Sequence, residues 1–129
     1  MARPKADQLT ARELEIMHVF WDRGQATVGQ VRQGLARSGR QLAYTTVATL
    51  VKILADKGFL EQVNHQRPFI YRPRQSYEEV SRSLLGDFLH RVFRGSREQL
   101  LVRLVEDKPL SAKERQLLQE LLQKRSRRK

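Results

Sequence analysis

No cysteine occurs among the 129 residues. That absence excludes disulfides, thiolate metal sites and cysteine nucleophiles together, and it suits a reducing cytosol. Apolar runs are short as well. None approaches the ~18 residues of a membrane span, and the stretch from Met1 to Gln8 lacks the apolar segment of a signal peptide. A cytoplasmic protein without membrane insertion is expected. Histidine is sparse: His18, His65 and His90 have no second histidine at ligand spacing, so no metal site is expected. Isolated glycines such as Gly24, Gly29, Gly34 and Gly39 form no phosphate loop. The carboxylate pairs Glu13/Glu15 and Glu78/Glu79 fall at helix starts, where they favour the macrodipole. Enzymatic activity and a cofactor are therefore not expected, and no internal repeat is visible.

Negative charge is also in short supply, with 14 Asp+Glu against 25 Lys+Arg and a net charge of +11. The excess is uneven. Residues 1–73 hold 11 cations against 6 anions, residues 74–123 hold 9 against 8, and residues 124–129 hold 5 against none. A basic half beside a nearly neutral one suggests a polyanion-binding domain joined to a protein-binding one. The apolar fraction of 40% is ample for a packed core.

Helix starts are legible. Ser or Thr followed three residues later by Glu or Gln lets each side chain satisfy the other's unpaired backbone N–H. This pattern occurs at Thr10/Glu13, Thr27/Gln30, Ser76/Glu79, Ser96/Gln99 and Ser111/Glu114, each ahead of an apolar-periodic segment. A first helix is predicted over 11–23, with Leu14, Met17 and Trp21 as its stripe, widened by Ile16 and Phe20. A second is predicted over 28–37, with Val28, Val31 and Leu35 inward; Gly34 inside it costs about 1 kcal/mol relative to alanine. The third, within 43–58, places Val47, Leu50, Val51 and Leu54 on one side and ends at Lys57 and Gly58. Ala43 cannot cap it, which leaves its first N–H groups open to a phosphate.

After Gly58 the pattern becomes strand-like over 59–65 and again over 68–72, with a turn at Gln66 and Arg67. Pro68 argues for an edge strand. Three helices followed by a hairpin make a winged helix-turn-helix, with His65 and Arg67 at the wing tip. Residues 76–125 read as three further helices, over 77–94, 97–107 and 112–124. Their leucine-rich faces are wider than so few residues can bury alone, so they are expected to associate. The predicted fold is mainly α with a small β component: a winged-helix DNA-binding domain over 1–73, a three-helix dimerisation domain over 74–123 and a basic tail over 124–129. The tail is expected to be disordered, adding nonspecific DNA affinity or only solubility.

The outer face of the third helix is unusual. Thr45, Thr46, Ala48, Thr49 and Lys52 include no carboxylate, and such small hydroxyls and methyls suit close approach to base edges in a major groove. Direct base contacts are expected from Thr45, Thr46, Ala48 and Thr49, whose methyls suit thymine. Backbone contacts are expected from Arg32, Arg40, Tyr44, Lys52, Arg67 and Tyr71. Dimerisation is expected through Leu84, Phe88, Val92, Leu100, Leu104, Leu117, Leu118, Leu121 and Leu122.

Several segments resemble the penicillinase-repressor family of bacterial regulators (the BlaI/MecI type). They are Leu9 to Met17, Phe20 and Trp21 followed by Gly24, Thr27 and Val28, Leu42 to Val47, Leu54 with Lys57 to Leu60, and Tyr71 to Pro73. The resemblance spans about residues 9–123. It implies a homodimeric repressor that binds a palindromic operator, with TACA/TGTA-type half-sites, upstream of β-lactamase or other stress genes. It also implies release through a membrane sensor with a zinc-protease domain that leads indirectly to repressor cleavage. Two departures are visible. Copper-responsive relatives carry a cysteine metal site, which this chain cannot build. The bond cut in the penicillinase repressors is Asn-Phe; its counterpart here is Arg103–Leu104, which matches at neither residue. Some relatives also carry arginine in place of Ala48, implying a different operator. A winged-helix protein-interaction module without specific DNA binding is the alternative reading.

Overall fold

Thr10, Thr27, Ser76 and Ser111 each close a complete capping box, with the hydroxyl accepting the backbone N–H of Glu13, Gln30, Glu79 and Glu114 and those side chains accepting in return. Ser96 accepts the N–H of Gln99, while its own N–H donates to the carbonyl of Phe93; the preceding turn already satisfies it. These caps start the helices of a computed structural model that describes residues 5–127. A 3-10 turn, Ala6–Gln8, precedes α1 (Ala11–Arg23), β1 (Ala26–Thr27), α2 (Val28–Arg37), α3 (Tyr44–Asp56), β2 (Leu60–Gln62), β3 (Ile70–Pro73), α4 (Tyr77–Phe93), α5 (Arg97–Asp107) and α6 (Ala112–Arg127). The chain divides into two compact units after Asp87, within α4. No helix among the described residues is long and apolar enough to cross a membrane.

In the first unit α1, α2 and α3 enclose a core of Ile16, Met17, Phe20, Val31, Leu35, Val47, Val51 and Leu54, closed by Phe59, Leu60 and Val80. The inward face of α1 centres on Ile16, Met17 and Phe20, which are fully buried; of the predicted stripe Met17 is at the centre, while Leu14 and Trp21 are not. Leu14 is only half-buried. Trp21 lies at the margin, donating its Nε1–H to the carbonyl of Gln75 at 2.9 Å, with His18 and Tyr77 packed around it. Gly34 approaches Val19 so closely that a Cβ would sit 2.8 Å from its Cγ1. The glycine that weakens α2 as an isolated helix therefore lets it pack against α1.

Helix α3 ends at Gly58, whose φ of 91° only glycine adopts freely. The N–H of Gly58 donates to Ala55 O and that of Phe59 to Leu54 O, and Phe59 buries itself beside Leu54. Chain reversal and core closure are thus one event.

The sheet order is β1-β3-β2, antiparallel throughout. This corrects the edge-strand expectation: β3 is central. Pro68 lies before the ladder begins, so its missing N–H costs no interstrand bond, and its bond to Arg67 is cis. The strands are shorter than the predicted segments because the tip is a loop organised by Asn64. Its Oδ1 accepts the N–H of Ile70 at 2.8 Å, and its Nδ2 donates to the carbonyls of Gln66 and Pro68. Glu61 and Arg72, directly opposite in register, pair across β2 and β3.

In the second unit Phe88 and Phe93 meet edge to face at 5.7 Å. Helix α4 stops at Phe93, one residue before its predicted end, because Arg94 already has a positive φ. Phe88, Val92, Leu101, Leu104, Leu117, Leu118, Leu121 and Leu122 are all exposed. The expectation of a disordered tail is corrected for its first part: α6 continues through Arg127. Lysine and arginine are good helix formers, and their charge suits a helix C-terminus. Residues 128 and 129 lie outside the described residues.

Candidate nucleic-acid interface

The outer face of α3 is accessible as its composition predicts. Thr45, Thr46, Thr49 and Lys52 are exposed and Ala48 is half-buried. Ala43 provides no side-chain cap. Among the described residues Thr45 and Thr46 make no side-chain hydrogen bond. Thr49 does: its hydroxyl donates to the carbonyl of Thr45 at 2.9 Å, one turn back.

Beside this face runs a groove of about 650 Å³, lined by Val28, Tyr44, Ala48, Lys52, Arg67, Pro68, Phe69 and Tyr71. One wall is α3 and the other is the wing. Two cations, Lys52 and Arg67, face the groove together with two phenols, Tyr44 and Tyr71, and no carboxylate lines it. The Arg67 guanidinium lies 5.6 Å from the centroid of the Phe69 ring, a cation–π contact that orients it. Tyr71 also packs on the core, so its ring is part of the wall. The structure thus gathers four predicted backbone-contact residues, Tyr44, Lys52, Arg67 and Tyr71, beside the predicted base-contact residue Ala48.

Arg32 and Arg40 are not gathered there. Arg32 donates through Nε to the carbonyl of Leu42 at 3.0 Å and so ties down the turn into α3. Arg40 forms a two-pronged bond to Glu15, Nε to Oε2 at 3.1 Å and Nη2 to Oε1 at 3.0 Å. It lines a separate cleft between α1 and α2, with Glu15, His18, Asp22 and Arg37.

Sequence reasoning missed one contributor to the site. Lys57 is not merely a terminal cation for α3. Its Nζ meets Glu13 at 2.9 and 3.0 Å and donates to the carbonyl of Gln8, anchoring the end of α3 to the start of α1. Glu13 is only 3% exposed at its side chain. Burial pushes its carboxyl pKa up, but the Thr10 N–H and hydroxyl and the Lys57 ammonium together outweigh that effect and hold it below the ordinary glutamate value. The capping pattern marked Glu13 as a helix-start residue; nothing local could pair it with a residue 44 positions away. No group of three or more metal-ligating side chains occurs among the described residues.

The penicillinase-repressor family model matches residues 9–124. The chain is 26% identical over 125 residues to the penicillinase repressor of Bacillus licheniformis, covering 97% of each chain. It is 36% identical over 104 residues to the transcriptional regulator BlaI of Mycobacterium tuberculosis, covering 79% of this chain and 75% of that one. Among solved structures, the DNA-binding domain of the repressor BlaI superposes with a TM-score of 0.51 at 26% identity, covering 59% of this chain and 92% of that domain. That domain is the winged helix described above, and the family's members are transcriptional repressors, not enzymes. The chain belongs to the penicillinase-repressor family of winged-helix DNA-binding transcriptional regulators.

Proposed function

We propose that the chain is a homodimeric repressor that binds a palindromic operator in double-stranded DNA and blocks transcription by occupying it. The observation that carries this reading is the carboxylate-free groove in which Ala48 and Lys52 of α3 face Arg67 of the wing. With α3 in the major groove, Thr45, Thr46, Ala48 and Thr49 meet base edges, and a phosphate strand runs between helix and wing past Lys52, Arg67, Tyr44 and Tyr71. Arg32 and Arg40 supply outer contacts only through guanidinium nitrogens that Leu42 and Glu15 leave available.

Residues 1–73 form the DNA-binding domain and 74–123 the dimerisation domain. Phe88, Val92, Leu104, Leu117, Leu118, Leu121 and Leu122 are large apolar side chains left exposed on α4, α5 and α6, with Leu100 half-buried, and so many of them favour association. Leu84, which packs on the core of the first unit, is a further residue of the proposed dimer contact. The name of the Bacillus relative supports β-lactamase or related stress genes as targets, and a regulator of this kind acts in the cytoplasm. Arg103 and Leu104, both exposed on α5, mark where a sensor-triggered protease would cut. The Arg-Leu bond asks for a specificity different from Asn-Phe.

Gel shift against the DNA upstream of the chain's own gene tests the reading. Nanomolar, salt-sensitive binding that persists over excess random DNA is expected. Equal affinity for random DNA would replace the repressor with a protein-interaction module built on the same winged helix.

A further inference from the structure

Thr49 stands on the outer face of α3, one position from the groove residue Ala48 and one turn from Lys52. A threonine can meet a base edge in two ways: through its hydroxyl, or through its methyl against the C5-methyl of thymine. A hydroxyl whose proton is committed elsewhere can no longer donate to a base and keeps only its acceptor lone pairs, whereas the methyl stays available. Here the Oγ1–H of Thr49 donates to the carbonyl of Thr45 at 2.9 Å, a bond back onto the helix that β-branched hydroxyl residues favour. With Oγ1 against the preceding turn, staggering about the Cα–Cβ bond leaves the Cγ2 methyl as the free branch. Its neighbour Ala48 has only a methyl to offer. Thr45 and Thr46, whose hydroxyls are not used in this way, differ from Thr49 chemically despite sharing its residue type.

We propose that Thr49 is a specificity-determining residue that reads a thymine through its methyl group, with its hydroxyl serving the helix rather than the base. This rests on the assignment of α3 as the recognition helix, and it names the chemistry by which one position of that helix selects a base. Two substitutions separate the branches. Thr49→Val keeps the shape and the methyl and removes the hydroxyl. Thr49→Ser keeps the hydroxyl and its bond to Thr45 and removes the methyl.

The probe is a duplex selected by the full-length protein from a random pool, together with versions in which deoxyuridine replaces one thymine per half-site in turn. That exchange removes only the C5-methyl group. Affinity is expected to fall about fourfold for each methyl–methyl pair broken, the factor set by burying one methyl-sized group, and hence about sixteenfold for a dimer in which both half-sites are affected. At one half-site position Thr49→Ser should show this loss on the thymine duplex and no further loss on the uracil duplex, the signature of direct coupling. Thr49→Val should stay within about twofold of the native chain on both. If Thr49→Val loses as much as Thr49→Ser, or if no uracil exchange is coupled to Thr49, the methyl readout is wrong while the recognition helix stands. If the pool yields no preferred duplex, the assignment of the helix fails first, and the methyl readout with it.

Discussion

Glu13 caps α1 and, out of water, also holds the end of α3 through Lys57. Removing the ammonium leaves a carboxylate that is 3% exposed with only the Thr10 groups for company. Lys57→Met should cost about 2 kcal/mol in urea denaturation, less than the ~3–5 kcal/mol of a fully buried pair because Lys57 is itself partly solvated. The pH dependence has a definite sign. Glu13 is lowered in the folded chain, so on acidification the unfolded state takes up the proton first. The stabilisation is complete above the ordinary carboxylate range and is lost as pH falls through the folded value. Glu13→Gln should flatten that acid slope; an unchanged slope would show that other carboxylates produce it. Gly34 makes a second residue-scale case. Gly34→Ala gains about 1 kcal/mol of helix propensity but forces its Cβ against Val19, an overpacking of about 1–3 kcal/mol. Net destabilisation is expected from thermal melts, with the sign reversed in a Val19→Ala background.

At the scale of elements, what the sequence displays depends on how local the cause is. Each capping pattern joins residues three apart, so the starts of five α-helices are legible, and α3, which has no such cap, shows through its apolar period and the C-terminal turn at Gly58. The two-residue strand β1 was not, since Ala26 and Thr27 are too few to show any period and pair only because β3 lies beside them. The central place of β3 is hidden for a related reason: Pro68 marks where hydrogen bonding is impossible, not where the ladder starts. Composition identified the face of α3, but no local pattern could show that Lys52 and Arg67 line one groove while Arg40 is turned toward Glu15. That difference is measurable. Lys52→Ala and Arg67→Ala should each weaken DNA binding evenly across sequences and lower the slope of log K against log salt by about 1. Arg40→Ala should change the slope less. A larger effect at Arg40 than at Lys52 would move the phosphate path away from the groove.

At the scale of the molecule, a small helical unit leaves leucines on α5 and α6 in water, and a second copy is the partner proposed to cover them. Leu118→Asp with Leu121→Asp should halve the sedimenting mass and lower operator affinity by about 100-fold or more, because joining two half-site readers raises affinity by that much through effective concentration alone. An unchanged mass would place the interface elsewhere. Repression by this route requires α3 to enter the major groove from a dimer. The most direct test is an anisotropy titration of one palindromic operator duplex with the native chain and with Thr46→Glu, their masses matched by sedimentation. A carboxylate at the groove face cannot replace the threonine at a base edge and meets phosphate repulsion, so binding should fall by about 100-fold or more while the dimer persists. Binding of Thr46→Glu within a few-fold of the native chain would contradict that placement, because α3 would then not face the bases.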